Sequence, residues 1–215
     1  MQAFLNKPEV KKTYLNRVKA HQKADEIVKG KYWKGGKGCA VGCTIHGSDH
    51  KRYETELGIP EWLARTEDAL FEGMSIEKSK TWPFEFLKAI KVGIDLEKVQ
   101  APFQIMVLEH VLETLEGNKF NDAKFPDVIK SIQGSKEVVK TVLELWRSGK
   151  INDNSAAMSA ESAARSATRS ATSAAWSAAR SAESAARSAA WSAASAAYQR
   201  YTKELLKILR ESDDK

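Results

Sequence analysis

Both cysteines and two of the four histidines lie within twelve residues, at Cys39, Cys43, His46 and His50. Thiolate and imidazole are the ligands that Zn²⁺ prefers, so this C-x3-C-x2-H-x3-H string is compatible with a structural zinc site. On one continuous helix the four positions would extend over about 16 Å, too far to surround one ion. A chain break at residues 47–49 could fold His50 back, and a zinc protein therefore stays open as an alternative.

The same cluster permits two further interpretations. A thiol nucleophile needs a nearby base, which His46 or His50 could supply, although no acid or oxyanion motif accompanies them. Small cysteines packed in the core are the commonest outcome. We therefore expect no catalytic residue, no metal ligand and no cofactor, with the zinc protein and the thiol enzyme as alternatives.

A loop rich in glycine and lysine precedes this cluster, at residues 30–38. Glycine lets backbone N–H groups approach an anion, lysine supplies positive charge, and an aromatic ring can stack on a base. The loop lacks the P-loop pattern, and no strand precedes it as a dinucleotide-binding fingerprint requires. A flexible surface loop is the alternative. The predicted ligand-binding residues are Lys31, Tyr32, Trp33, Lys34, Gly36, Lys37, Gly38, His46 and His50.

Positive charge is concentrated in the same part of the chain. Residues 1–52 contain 12 Lys and Arg against 4 Asp and Glu, a local net charge of +8 in a chain whose net charge is +6. The rest of the chain is therefore slightly acidic. A concentrated positive field favours an anionic partner, such as a nucleotide, a nucleic acid or an acidic protein face. A solvated, lysine-rich surface is the alternative.

Helices must position these residues, because strand signals are scarce. Apolar side chains recur at spacings of three and four, and Gly, Pro, Ser and Asp mark the ends of segments. The predicted fold class is all-α, with a compact multi-helix domain over residues 1–150. Its predicted helices cover 5–29, 39–46, 49–57, 61–73, 75–79, 84–90, 96–99, 102–116, 126–133 and 135–148, where 39–46 could instead be a buried turn.

An eleven-residue repeat begins at Ser155. Serines recur at spacings of 4, 3 and 4 residues, each followed by alanine, and neither Gly nor Pro occurs from 155 to 215. This period of 11/3 is close to that of an α-helix. We predict one continuous helix of about 55 residues within a second domain, 151–215, and self-association through its rows of small side chains. A larger apolar segment, Leu205–Leu209, follows the repeat.

Composition excludes several classes of protein. Two cysteines cannot form a disulfide-dense secreted scaffold, and no apolar segment has the length of a signal region or a membrane span. Hydrophobic residues make up 42% of the chain, enough for a folded core. The expectation is a soluble, cytoplasmic protein without a membrane partner.

Several segments together resemble a family of uncharacterised proteins encoded by bacteriophages and bacteria. They are GKGCAVGCTIH, Tyr53-Glu54, ELGIPEWLARTEDALFEG, WPFEFLKAI and the SAAWSAARSAE repeat, which span most of the chain from about residue 33. The resemblance implies a phage protein, acting in the host-cell cytoplasm if so encoded, that opposes host defence. With the residues above, it favours a non-catalytic, oligomeric binder of a nucleotide-like or other small anionic ligand, such as a signalling nucleotide. A nucleic-acid- or protein-binding adaptor is the alternative.

Overall fold

The computed structural model describes residues 1–117, 126–150 and 184–212, and these are mostly helical. A short 3₁₀ turn at Ala3–Asn6 comes first, and a two-stranded hairpin follows the first helix. The helices are α1 Pro8–Lys23, α2 Ala40–Ile45, α3 Arg52–Leu57, α4 Glu61–Gly73, α5 Ile76–Ala89, α6 Glu97–Gly117, α7 Pro126–Arg147 and α8 Ser184–Glu211; the strands are β1 Trp33–Lys34 and β2 Lys37–Gly38. None of the helices described is both long and apolar enough to cross a membrane.

The chain divides into two compact units. The first comprises Met1–Gln100 together with Ala194–Lys215, and the second comprises Ala101–Ala193. The predicted domains, 1–150 and 151–215, stay a prediction, because their boundary adjoins residues 151–183, which lie outside the described part of the chain. The predicted start of the long helix near Ser155 lies outside it as well.

The core of the first unit surrounds the short helix α2. All six residues of α2 are buried, and their small or branched side chains allow α1, α4 and α5 to pack against it. Large buried side chains complete this core: Phe4, Tyr53, Phe71, Trp82 and Phe86. Burial of each such apolar side chain stabilises the fold by about 1.5–3 kcal/mol. The core therefore fixes the position of α2 and of the chain segments that precede and follow it.

The C-terminal part of α8 belongs to this unit. Leu205, Leu206 and Leu209 are buried, as expected for the apolar segment that follows the repeat. Gly73 makes a close approach possible, because a Cβ at this position would lie 2.3 Å from the ring of Tyr198.

The first helix is shorter than the sequence predicts at both ends. Lys7 precedes a proline and is therefore extended, and α1 begins at Pro8. At the other end Asp25 adopts a left-handed conformation, with φ +53°, and takes the chain out of the helix. Ile27, which lies within the predicted helix 5–29, instead forms a β-bridge with Gly38 and is buried there.

Three predicted helix breaks do not occur. Pro83 lies inside α5, Pro102 inside α6 and Gly134 inside α7. An interior proline costs a helix about 3 kcal/mol and a glycine about 1 kcal/mol, so propensity alone favours a break at each position. In α5, tertiary burial outweighs this cost, since its residues Trp82, Pro83 and Phe86 are all buried.

The second unit has its own apolar cluster between α6 and α7. Its buried members are Leu108, Leu115, Ile132, Val139, Val142, Leu143 and Trp146. An ion pair between Arg147 Nη2 and Glu109 Oε1, 2.7 Å apart, joins the same two helices at the surface.

Candidate functional site

The glycine- and lysine-rich segment is a hairpin held against α2. Gly35 and Gly36, with φ +60° and +80°, form the two-residue turn that a tight hairpin requires. The hairpin is tied to the end of α1 by two backbone bonds, Val28 N–H to Gly38 O at 2.8 Å and Gly38 N–H to Glu26 O at 3.0 Å. The lysines of the segment, Lys31, Lys34 and Lys37, are exposed.

Two glycines are required by the close approach of this segment to α2. A Cβ at Gly38 would lie 2.1 Å from the carbonyl oxygen of Tyr32, and one at Gly42 would lie 1.4 Å from the same atom. Real Cβ atoms do not approach an oxygen so closely, so neither position accepts a side chain without a backbone shift. Gly42 therefore sets how closely the hairpin can pack on α2.

The backbone N–H groups predicted to receive an anion are already used inside the protein. Gly38 donates to Glu26 O, Cys39 to Lys31 O at 2.7 Å, and Gly42 to the Cys39 Sγ at 3.4 Å. The start of α2 is thus capped by its own thiol. These three N–H groups are therefore not free to bind an anion, as the glycine cradle that the sequence suggests would require.

Four side chains form a group at the surface that we call the His46 cluster: the partly buried His21, Glu26 and Trp33, and the exposed His46. The His46 ring stacks on Trp33 with centroids 4.4 Å apart and planes 16° apart. Its Nε2 lies 2.8 Å from His21 Nε2, and His21 Nδ1 lies 2.6 Å from Glu26 Oε2. His46 is exposed whereas His21 is largely covered, so a hydrogen-bonded chain leads from a carboxylate to an imidazole at the surface.

Two arginines give this cluster a positive surrounding. Arg17 Nη1 donates to Thr44 O at 2.7 Å, and Arg52 Nε donates to Glu56 Oε1 at 2.6 Å. The pKa of His46 is lowered, first by its partial burial and then by the charges of Arg17, His21 and Arg52. Burial disfavours the charged imidazolium, and the nearby cations add to this effect, so both causes oppose protonation of His46.

A second group, the Asp68 cluster, consists of Tyr32, Cys39, His50 and Asp68. Asp68 Oδ2 lies 3.5 Å from His50 Nε2, and the ring of Tyr32 meets His50 edge-on with centroids 5.6 Å apart. Burial, followed by the negative charge of Asp68, raises the pKa of Tyr32. Asp68 Oδ1 is buried and has no hydrogen-bond partner among the residues that the structure describes.

A buried acid lies next to Asp68 on α4. Tyr53 donates its O–H to Glu67 Oε2 at 2.7 Å, and both residues are fully buried. Burial raises the pKa of Glu67 to about 8, with Asp68 adding to the shift and the Tyr53 hydrogen bond opposing it. Glu67 is therefore mostly protonated at neutral pH, which limits the charge buried beneath the cluster.

The two thiols are buried and inert. Burial raises the pKa of Cys39 and that of Cys43, the latter to about 12. The Cys43 Sγ donates to Gly38 O at 3.3 Å. Since the thiolate is the nucleophile and the metal ligand, both cysteines are in the unreactive form at neutral pH. This geometry lends no support to the thiol-enzyme alternative.

The Cys and His residues of the motif diverge. Cys43 contacts backbone carbonyls, His46 contacts His21, and His50 faces Asp68. Within the described part of the chain, no three His, Cys, Asp or Glu side chains are grouped so that they could hold a metal ion. The αL conformation of His46, with φ +51°, ends α2 and sends the chain away before His50.

The predicted ligand-binding residues fall on both sides of the hairpin. Trp33 and His46 belong to the His46 cluster, and Tyr32 and His50 belong to the Asp68 cluster. Sequence analysis missed five residues that complete these clusters: Arg17, His21, Glu26, Arg52 and Asp68. His21 and Glu26 are five residues apart, a spacing that signals no contact on a helix, and only the left-handed turn at Asp25 brings them together.

Comparison with known proteins adds no assignment: no family model matches the chain, and no significant match exists among curated proteins or solved structures.

Proposed function

We propose that this protein is a non-catalytic binder of a small anionic ligand carrying a phosphate, and that the His46 cluster with Arg17 and Arg52 is its binding surface. One observation carries the proposal: a stacked aromatic pair at the surface, the half-buried Trp33 and the exposed His46, lies close to two arginines. An aromatic face suits a nucleotide base, and guanidinium groups suit phosphate oxygens.

Each part of the surface has a distinct role in this proposal. A base stacks on the outer face of His46, or takes the place of His46 on Trp33. The guanidinium groups of Arg17 and Arg52 are oriented by Thr44 O and Glu56, and they bind the phosphate. The exposed Lys31, Lys34 and Lys37 contribute mobile charge. Losing one lysine should therefore weaken binding less than losing an arginine.

The proposed biological role follows from the resemblance to phage-encoded proteins. A non-catalytic binder of signalling nucleotides would oppose host defence by sequestering the signal.

We also propose that the protein self-associates through its Ser/Ala rows. Ala178→Leu combined with Ala189→Leu should then overfill the contact at a cost of about 1–3 kcal/mol per site. A monomer of the unaltered protein at micromolar concentration in light scattering would contradict self-association.

Isothermal titration calorimetry tests the binding surface, with inorganic phosphate and a panel of linear and cyclic nucleotides as probes. Arg52→Gln should weaken binding about ten- to hundredfold, since a charge-assisted hydrogen bond contributes about 1.5–3 kcal/mol. Arg65→Gln is the matched control, because Arg65 also pairs with a glutamate four residues away on its own helix. Equal losses in both variants, or no binding below about 1 mM, would refute the proposed surface.

The aromatic contribution has its own matched pair. Trp33→Leu should lower nucleotide affinity by about 1–3 kcal/mol and leave the affinity for inorganic phosphate nearly unchanged, because only the base stacks. Tyr32→Leu alters the neighbouring residue, which is 45% exposed and lies outside the His46 cluster, and should have little effect. A larger loss in Tyr32→Leu would move the site to the Asp68 cluster.

The adaptor alternative predicts a different dependence on salt. A protein that neutralises many phosphates of a nucleic acid loses affinity steeply with salt, whereas a surface with two arginines releases only a few ions. Binding to a duplex with a slope of log K against log salt steeper than about −4 would favour the adaptor.

A further inference from the structure

The contact between His21 and His46 holds a single hydrogen. Their Nε2 atoms are 2.8 Å apart, a distance that requires one nitrogen to donate and the other to accept. A protonated imidazole donates from both nitrogens and accepts from neither. The contact therefore survives when one ring is protonated and is lost when both are.

Glu26 fixes how the hydrogen can be arranged. Its carboxylate accepts from His21 Nδ1 at 2.6 Å, so His21 carries a hydrogen on that nitrogen in every state. If His21 is neutral, its Nε2 accepts from His46. If His21 is protonated, its Nε2 donates and His46 accepts. In both states at most one positive charge resides on the pair.

The charged groups around His46 come from three segments. Arg17 and His21 are on α1, Glu26 lies between α1 and β1, and Arg52 is on α3. The two arginines and His21 oppose protonation of His46, and Glu26 favours it. Trp33, the stacking partner on β1, is uncharged. Because three of these four charged groups oppose protonation of His46, the ligand-free protein keeps the single hydrogen between His21 and His46.

We infer that ligand binding at the His46 cluster takes up a proton, because an anion placed against His46 stabilises the doubly protonated pair that the free protein excludes. This inference rests on the proposed function and names the regulation of that same site. The anion adds a negative charge beside Arg17 and Arg52, the second of which is already paired with Glu56. It replaces the lost N–H···N bond with two charge-assisted bonds to the imidazolium groups.

The linkage has a definite sign. Binding that raises the proton affinity of His46 must itself strengthen as the pH falls, by up to about tenfold per pH unit for one proton. Between about pH 7.5 and pH 5.5 the affinity for a divalent anion should rise at least tenfold. The site would thus hold its ligand more tightly in an acidified environment.

The first test uses the ligand-free full-length protein, with its histidine rings titrated by NMR. His21 and His46 should titrate in two coupled steps, and His50 and His110 should report other surroundings in the same sample. In His21→Gln the amide can still hydrogen-bond to His46 but takes up no proton, so His46 should titrate in one step with a shifted midpoint. His110→Gln, the same replacement in the other unit, should change neither step. A single, identical His46 titration in the unaltered protein and in His21→Gln would overturn the inference.

The second test measures the proton itself. Sulfate is the probe, because its charge is constant over this pH range and its own titration cannot mimic the effect. Calorimetry in buffers of different ionisation enthalpy should show uptake of a fraction of one proton, and this uptake should change in His21→Gln, in which only His46 can take up a proton. Sulfate binding without proton uptake would overturn the inference while leaving the binding surface intact. If the two histidines titrate together but neither sulfate, phosphate nor a nucleotide binds, both the anion site and the coupling of binding to proton uptake are refuted. Only the hydrogen shared by His21 and His46 would then stand.

Discussion

The His46 cluster and the Asp68 cluster lie on either side of one hairpin and differ in their exposure to solvent. The His46 cluster ends at an exposed ring with two arginines nearby. The Asp68 cluster combines the exposed Tyr32 ring with the buried Cys39 and His50, and it adjoins the fully buried carboxyl group of Glu67. Polar groups at the surface exchange protein contacts for water at little cost, but the same groups in the core must be satisfied by the protein. Substitutions in the His46 cluster should therefore change binding, and substitutions at the buried Tyr53 and Glu67 beside the Asp68 cluster should change stability.

The largest effect should come from the glycine that both clusters share as a support. In Gly42→Ala the added methyl group would overlap the Tyr32 carbonyl oxygen, and the hairpin carrying Tyr32 and Trp33 would have to move. We expect a loss of at least about 3 kcal/mol in the free energy of unfolding, measured by chemical denaturation. Gly134→Ala is the control, because this helical position has open space and should gain about 0.5–1 kcal/mol. Equal stability of Gly42→Ala and the unaltered protein would contradict the close packing of the hairpin.

The next effect concerns the pH dependence of stability that the buried acid beside the Asp68 cluster produces. The pKa of Glu67, raised to about 8 against an ordinary value of 4.5, means that the folded state holds a proton that the unfolded state releases. Its contribution is fully present below pH 4.5 and is lost as the pH rises through about 8. Glu67→Gln keeps the hydrogen bond from Tyr53 but not the titration.

Thermal unfolding at several pH values provides the measurement. Relative to Glu67→Gln, the unaltered protein should lose stability between pH 5 and pH 9. Glu85→Gln, which alters an exposed acid on α5, should show no such trend. A constant difference between the Glu67 variant and the unaltered protein at all pH values would mean that Glu67 is not buried as a neutral acid.

A smaller loss of stability is expected when the hydrogen-bond donor to the buried Glu67 carboxyl group is removed. Tyr53→Phe leaves Glu67 Oε2 without its donor in the core, at a cost of about 1–3 kcal/mol. Tyr32→Phe, the matched change at a half-exposed ring, should cost less than about 0.5 kcal/mol. If the two variants lose the same stability in urea, the difference in burial between the two positions does not govern their energetics.

The smallest effect is expected at the thiol that caps α2. Cys39→Ser replaces one acceptor for the Gly42 N–H by another that is common at helix N-termini, so stability should change by less than about 1 kcal/mol. Ligand binding should be unchanged, because the protonated Cys39 thiol lies in the Asp68 cluster. Loss of binding or release of a metal ion from this variant would instead restore the thiol or zinc alternatives.

Much of the helical framework could be read from local signals. Pro60 before α4, Gly73 at its end, and Ser75, whose side chain accepts from Lys78 N–H at the start of α5, are where the sequence places them. Each of these signals acts within one helical turn, so the chain alone carries it. The prolines and the glycine inside α5, α6 and α7 predict helix breaks that do not occur, because their local cost is outweighed by the burial of these helices against distant residues.

The sequence by itself determined that this chain is mostly helical, where positive charge accumulates, and that lysines, aromatic residues and histidines share one segment, since composition and periodicity are properties of neighbouring residues. Only the tertiary structure decided which of them meet. The left-handed turn at Asp25 brings Glu26 to His21, the left-handed end of α2 separates His46 from His50, and the packing of α4 places Asp68 beside His50. These contacts join residues that are distant along the chain or separated by a change of direction, and no spacing in the sequence encodes them. Because of those backbone turns, the four potential metal ligands of the motif do not come together at one site.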